Sequence, residues 1–310
     1  MREQLLPHID LYDEIYGLVR QIPRGKVSTP RTLSEALGDA KAVKAVIETI
    51  NTAEPSHDLP IHRVVSKTGR PLYTSRSPEF CLELLRQEGL EVVGGSVVPI
   101  EKQLFSDFET DFPLRKIQDL QERLAREVVL EDKSVKALEV IAGVDVAYKG
   151  KQGFGVCVVM DRCFRVLGEA AAETEVRFPY ISSYLAFREG PIIMKTLENV
   201  NEPFDALMIN GHGIAHPRVC GIATHVGLIL DDKPTIGVAT RKMMDREKQG
   251  DRILGAEVQR EGHASIYVSP GNNITLKKSL ETVKAFLGEH RLPEPLWRAH
   301  IKAKNLPRGR

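Results

Sequence analysis

Long hydrophobic runs are missing from this chain. No apolar stretch approaches the ~20 residues that span a bilayer, and the opening MREQLLPHID has no signal-peptide core. No membrane association is expected, and a cytoplasmic location is. Cysteine is scarce: Cys81, Cys157, Cys163 and Cys220 are the four present, and none forms a CxxC pair. A zinc ribbon and a thioredoxin-type site are thereby excluded, leaving thiols suited to a reducing compartment. Net charge is only +1, so there is no global polyanion-binding signature. Internal repeats and low-complexity segments are also lacking. What remains is an ordinary globular composition, 42% hydrophobic and 27% charged, over 310 residues, a length for about two domains. The charge is unevenly placed. Residues 20–76 carry ten Lys or Arg against five Asp or Glu, and after Glu294 there are five basic residues and no acidic one. Both segments suit phosphate contacts.

The first third reads as helices. Leu5 to Val19 is amphipathic, and Ile22–Pro23–Arg24–Gly25 makes a turn. Thr29 is placed to cap a helix with Pro30 at its first position, and Gly38 to stop it. Asp39 can cap the next helix, where Val43, Val46, Ile47 and Ile50 follow a core-facing stripe and Lys41 and Lys44 lie off it. The pair suggests a helix-turn-helix presenting Lys41 and Lys44 outward. IPRGKV at Ile22–Val27, this helix pair, PIHRVV at Pro60–Val65 and LLRQEG at Leu84–Gly89 resemble the DNA-binding domain of alkylguanine-DNA alkyltransferases, over roughly residues 8 to 100. The resemblance implies a DNA-binding role for Lys41, Lys44 and Arg63. The acceptor cysteine of that family falls on Ile61, which has no thiolate to take an alkyl group, so the nearer analogy is to alkyltransferase-like proteins. Lys44 stands where the family has a base-replacing Arg, and Pro30 where it has a Tyr. EKQLFSDFETDFP, residues 101–113, reads as a joint, after which Ile117, Leu120, Leu124 and Val128 restart a helical stripe.

The remainder alternates buried strands with polar loops. Val140 to Val146 reads as a strand carrying Asp145; FGVCVV and then Val166 with Ala170–Val176 continue a meander. A carboxylate on an apolar strand is costly unless partnered, and a metal ion is a natural partner. Ala206 to Ile209 reads as a buried strand ending on Asn210, Gly211, His212 and Gly213, where ligands of α/β sheets collect. IAGVDVAY, FPYISSYLAFREGP, FDALMINGHGIAHPRVCG, PTIGVA, YVSPGN and LPEPLWRAH, in that order, resemble endonuclease V over roughly residues 112 to 302.

That resemblance implies a ribonuclease H-like fold and a metal-dependent nuclease acting near deaminated bases such as inosine, in DNA or RNA. Asp145, Glu189 and Asn210 fall on its metal ligands for Mg²⁺, with Mn²⁺ as an alternative, and His300 on a histidine that contacts metal-bound water. Pro179, Tyr180 and Ile181 fall on its strand-separating wedge, and Gly211, Gly213 and His216 on the pocket for hypoxanthine. The chain departs from the family at Asn210, where a carboxylate is usual, at Thr240, where a Lys is usual, and at Ser182–Ser183 after the wedge. The expected architecture is two domains: a small α-rich winged helix-turn-helix-like domain over 1–105, a linker over 106–112, and an α/β ribonuclease H-like domain with a mixed central sheet over 113–310. The expected function is DNA repair by cleavage near inosine, the N-terminal domain gripping the duplex without accepting alkyl groups. The alternative is a lesion-binding protein that performs no chemistry and recruits other repair proteins.

Overall fold

The computed structural model describes residues 5–54, 57–72, 77–132, 138–243, 248–249 and 252–306. They fall into two compact units, one of residues 9–117 with 177–182, the other of the rest. No helix among the described residues is long and apolar enough to cross a membrane.

The smaller unit is mainly helical. Helix α1 (Leu11–Gln21) begins six residues later than the amphipathic pattern suggests, because the Asp10 carboxylate accepts the Asp13 amide and fixes the start there. Helix α2 (Pro30–Leu37) starts where Thr29 accepts the Thr32 amide and ends at Gly38 in the left-handed region. Asp39 caps a short 3₁₀ turn (Ala40–Ala42) that feeds α3 (Val43–Asn51). Val46 and Ile50 are buried while Lys41 and Lys44 face solvent, as the periodicity requires. A 3₁₀ turn (Ile61–Arg63), α4 (Pro78–Gln87), a two-strand ribbon of β1 (Val92–Val93) and β2 (Ser96–Val97), and the short α5 (Ile100–Gln103) follow.

Ile61 is buried. Arg63, expected on DNA, turns inward instead. Its guanidinium holds Glu88 through Nε and Nη2, at 3.0 and 2.8 Å from Oε1, and Nη1 donates to the Ile22 carbonyl at 2.7 Å. His62 Nε2 lies 2.9 Å from the same Glu88 oxygen. A carboxylate with so little water around it needs these donors, and the arginine that supplies them is spent. Burial would raise the Glu88 carboxyl, but the Arg63, His62 and Gly25 hydrogen bonds outweigh it and bring it down to about 2. Glu88→Gln is therefore expected to cost about 3 kcal/mol in urea unfolding at pH 7. A carboxylate whose folded value is depressed stabilises above its unfolded value of 4.5 and loses that contribution as pH falls toward about 2. The two proteins should accordingly converge in acid.

Helix α6 (Pro113–Leu124) leads into the larger unit. Its main sheet is mixed, with antiparallel and parallel neighbours. Strands β3 (Val140–Lys149), β4 (Gln152–Asp161) and β5 (Val166–Glu175) form an antiparallel meander. After α7 (Leu185–Leu197), β6 (Ala206–Asn210) joins β3 in parallel; after α8 (Ile222–Leu230), β7 (Thr235–Ala239) joins β6 in parallel. A small ribbon of β8 (Lys248–Gln249) and β9 (Arg252–Ile253) precedes β10 (Ala256–Arg260) and β11 (His263–Asn272), the latter antiparallel to β7. Central strands buried on both faces read as unbroken apolar runs, which is why FGVCVV and ALMI are legible as strands; TIGVA, buried throughout, forms another.

Helices α9 (Leu276–Ala285) and α10 (Glu294–Asn305) follow. Val283 and Phe286, beside α9's end, and Leu296 on α10 pack with Ile141, Met208, Ile236 and Val268 in one apolar core. Helix α10 also lies unusually close to β3: a Cβ on Gly143 would fall 2.5 Å from the Leu296 nitrogen. That glycine lets the helix approach the strand two residues before Asp145.

Candidate functional site

Asp145 sits on β3 and is only 6% exposed. Asn210, the last residue of the neighbouring parallel strand β6, donates Nδ2–H to its Oδ1 at 3.1 Å. His300 arrives on α10, its Nδ1 2.5 Å from Oδ2. A carboxylate accepts, so in the neutral ring Nδ1 carries the proton and Nε2 is left as the basic nitrogen. Three elements distant in sequence thus converge on one carboxylate.

Glu189 comes from α7 and accepts from the Tyr148 hydroxyl at 2.8 Å. Burial pushes the Glu189 carboxyl up to about 8; the Tyr148 bond works against this and the charge of Asp145 adds to it. The Tyr148 hydroxyl is itself raised well above its usual range, by burial and by Glu189. The Arg188 guanidinium lies over the Tyr148 ring, 4.3 Å from its centre. Tyr148→Phe removes a donor that favours the ionised form of Glu189. Its proton affinity should rise about tenfold, read from the carboxyl infrared band in a pH titration. An unmoved titration would show that Tyr148 does not act on this carboxylate.

The polar loop after β6 is placed differently from expectation in detail. His216 is buried, its Nε2 donating to the Ser183 carbonyl at 3.0 Å and its Nδ1 accepting the Arg218 amide at 3.2 Å. Arg218 adds Nη2 bonds to Ser183 Oγ and its carbonyl and an Nε bond to Gln121 Oε1, and lies over the Tyr184 ring. With Gln121, Ser183 and His212, His216 lines a cavity of about 20 Å³. That is room for about one water. Gly211 and Gly213 serve packing: a Cβ on Gly213 would meet the Pro270 carbonyl at 2.0 Å, and one on Gly211 the Ile222 side chain at 2.4 Å. Burial lowers the proton affinity of His212, against a bond with the Arg241 backbone. Thr240 is half-buried just after β7, while Arg241 and Lys242 are exposed.

Pro179, Tyr180 and Ile181 belong to the compact unit that holds residues 9–117. There the Arg177 carbonyl accepts the Leu11 amide at 2.9 Å. Pro179 and Ile181 are buried and Tyr180 is 56% exposed, a ring offered to solvent between two anchored neighbours.

Asp145, Asn210 and His300, singled out in sequence, are hydrogen-bonded together, and Glu189 lies near enough for the charge of Asp145 to act on it. Tyr148, Arg218, Gln121 and, in the smaller unit, Glu88 were missed. Tyr148 lies three residues after Asp145 on the same strand, the one signal that would have found it. The others meet their partners only through the fold.

Comparison with known proteins bears on both units. Residues 122–301 match the family model described as Endonuclease V, and residues 10–90 match that of the 6-O-methylguanine DNA methyltransferase DNA binding domain. A protein of Picrophilus torridus named bifunctional methyltransferase/endonuclease is 34% identical, over 97% of this chain and 98% of its own length. Among solved structures, endonuclease V of Streptomyces avermitilis is 30% identical with a TM-score of 0.57, covering 65% of this chain and 95% of that one. Endonuclease V of Ciona intestinalis, solved with an inosine-containing DNA, shares the fold at 23% identity and a TM-score of 0.59, covering 64% of this chain and 99% of that one.

Proposed function

Since this chain belongs to the endonuclease V family and carries a methyltransferase-type DNA-binding domain ahead of it, we propose that it is a DNA repair nuclease that cleaves a phosphodiester near inosine. The observation that carries this reading is the convergence of Asn210, at the end of β6, and His300, on α10, on Asp145 of β3, with Glu189 of α7 close enough to feel the charge of Asp145. Residues 1–105 serve as a winged helix-turn-helix-like DNA grip, 106–112 as a joint, and 113–310 as the ribonuclease H-like nuclease. Lys41 and Lys44 meet phosphates. Tyr180 is the stacking ring of the wedge, and the loop from Asn210 to His216 shapes the base pocket.

The donor set fits a hard divalent cation. Two carboxylates close enough to feel one another lie where burial already raises one of them to about 8, and a cation relieves both burdens. Asn210 contributes an amide oxygen and no charge. Among the described residues no group of three His, Cys, Asp or Glu is set for a metal, so Asp145, Glu189 and His300 do not stand together as a preformed three-ligand site. When bound, Mg²⁺ or Mn²⁺ neutralises charge at the phosphate and makes a water nucleophilic. Asp145, held by Asn210 and His300, and Glu189, held by Tyr148, would bind it. His300 Nε2 faces the task of holding a water's proton. Ile61 takes no alkyl group, so the grip recognises without repairing.

A second reading is favoured by Asn210 and Thr240: lesion binding without cleavage, with other repair proteins completing the work. Strand-specific nicking of an inosine duplex, compared with the same duplex carrying guanine, separates the two. The nuclease reading predicts metal-dependent nicks on the inosine strand alone. Equal treatment of both duplexes would remove the proposed specificity.

A further inference from the structure

Residues 5–8 belong to the larger unit, although residues 9–117, which follow them, form the smaller one. The Leu5 carbonyl lies 2.5 Å from His225 Nε2 on α8. A carbonyl only accepts, so Nε2 carries the proton. His225 is fully buried, edge-on to Phe187 of α7 at 5.2 Å, and burial holds its pKa at about 4, so the ring is neutral at neutral pH. One residue on, the Leu6 methyls lie against Gly190: a Cβ there would be 3.0 and 3.2 Å from them. Gly190 is the neighbour of Glu189 on α7. Two consecutive residues therefore tie α8 to α7 at the turn that carries a site carboxylate. The family match begins at residue 122, so this tie comes from chain outside the nuclease domain as the family defines it.

We propose that Leu5 and Leu6 are positioning residues of the nuclease site, fixing α7 against α8 and thereby Glu189 relative to Asp145. The tie has physical leverage. A helix held at one more point opens less often, and a ligand displaced by about 1 Å costs about a hundredfold in rate. The inference rests on the nuclease reading for its rate consequence and on geometry alone for the rest.

The test uses the full chain, a form with residues 1–8 deleted, Leu6→Ala and Leu6→Met. Val283→Ala, on α9 and buried in the core on β3's other flank, serves as a control of similar stability loss. Hydrogen exchange of residues 185–197, Mn²⁺ binding by electron paramagnetic resonance and single-turnover nicking are measured well below the melting temperature. The deletion and Leu6→Ala should speed exchange in 185–197 about tenfold. They should weaken Mn²⁺ binding severalfold and lower the maximal rate about tenfold, with duplex KM little changed. Leu6→Met, which refills the contact, should restore all three. Unchanged exchange and Mn²⁺ binding in the deleted form, or the same losses in Val283→Ala, would overturn the proposal. Should no form nick, the wild type included, the nuclease reading fails, while exchange and Mn²⁺ binding still decide whether the tie holds α7.

Discussion

Asp145→Ala is expected to abolish metal-dependent nicking of an inosine duplex, by about a thousandfold or more, while duplex binding stays within about twofold. The magnitude follows from what the carboxylate does. It is the one group on which Asn210 and His300 both converge, and it supplies a full charge to any cation in the site. Losing several kcal/mol of charge stabilisation in the transition state corresponds to about three powers of ten in rate. Stability should fall much less, by about 1–3 kcal/mol, since what is lost is two side-chain hydrogen bonds. An independent readout accompanies the rate. Asp145 adds to the raised pKa of Glu189, so that value should come down from about 8 in the variant. A rate loss with an unmoved Glu189 titration would mean that the two carboxylates do not share one site.

Asn210→Asp is the second large effect, and it runs in opposite directions with and without metal. In the wild type the amide donates to Asp145 across 3.1 Å. A second carboxylate at that distance donates nothing when ionised and repels, since two such groups cannot both carry charge in a dry place. Without a divalent ion the variant should be less stable by about 1–3 kcal/mol. With one, the added charge should tighten Mg²⁺ or Mn²⁺ binding by about tenfold to a hundredfold, as ligand charge tunes such sites. Thermal melting with and without Mn²⁺ shows both signs at once. Nicking at limiting Mg²⁺ should rise with the affinity. If the variant binds metal no better, Asn210 is not a member of the metal-binding set.

Much of this was legible in the chain. Thr29, Pro30 and Gly38 announce the ends of a helix because capping is local chemistry, and the structure uses each as read, while Asp39 caps the 3₁₀ turn that precedes the next helix and not that helix itself. Buried strands β4 and β6 declare themselves as apolar runs; Asn210 stands out as the polar end of one, and Asp145 as a carboxylate within the apolar run of β3. What could not be read was whatever depends on a partner far along the chain. Arg63 looks like a free basic residue until Glu88, 25 positions later, is folded against it. Gly213 looks like a loop glycine near a ligand until the Pro270 carbonyl closes on it. Leu5 and Leu6 look like the start of a helix that Asp10 in fact begins. Amphipathic spacing reports a tendency, and the capping carboxylate decides where it is realised.

The cluster around Asp145 is expected to cleave, despite holding an amide where a third carboxylate is usual. The most direct measurement is single-turnover nicking of an inosine duplex by the wild-type protein, with Mn²⁺ and with a chelator, and binding to the same duplex recorded alongside. The expected result is a nick on the inosine strand that requires the metal and disappears in Asp145→Ala. Tight binding of the inosine duplex with no nick at any Mn²⁺ concentration would contradict it, and would leave a protein that finds the lesion without cutting.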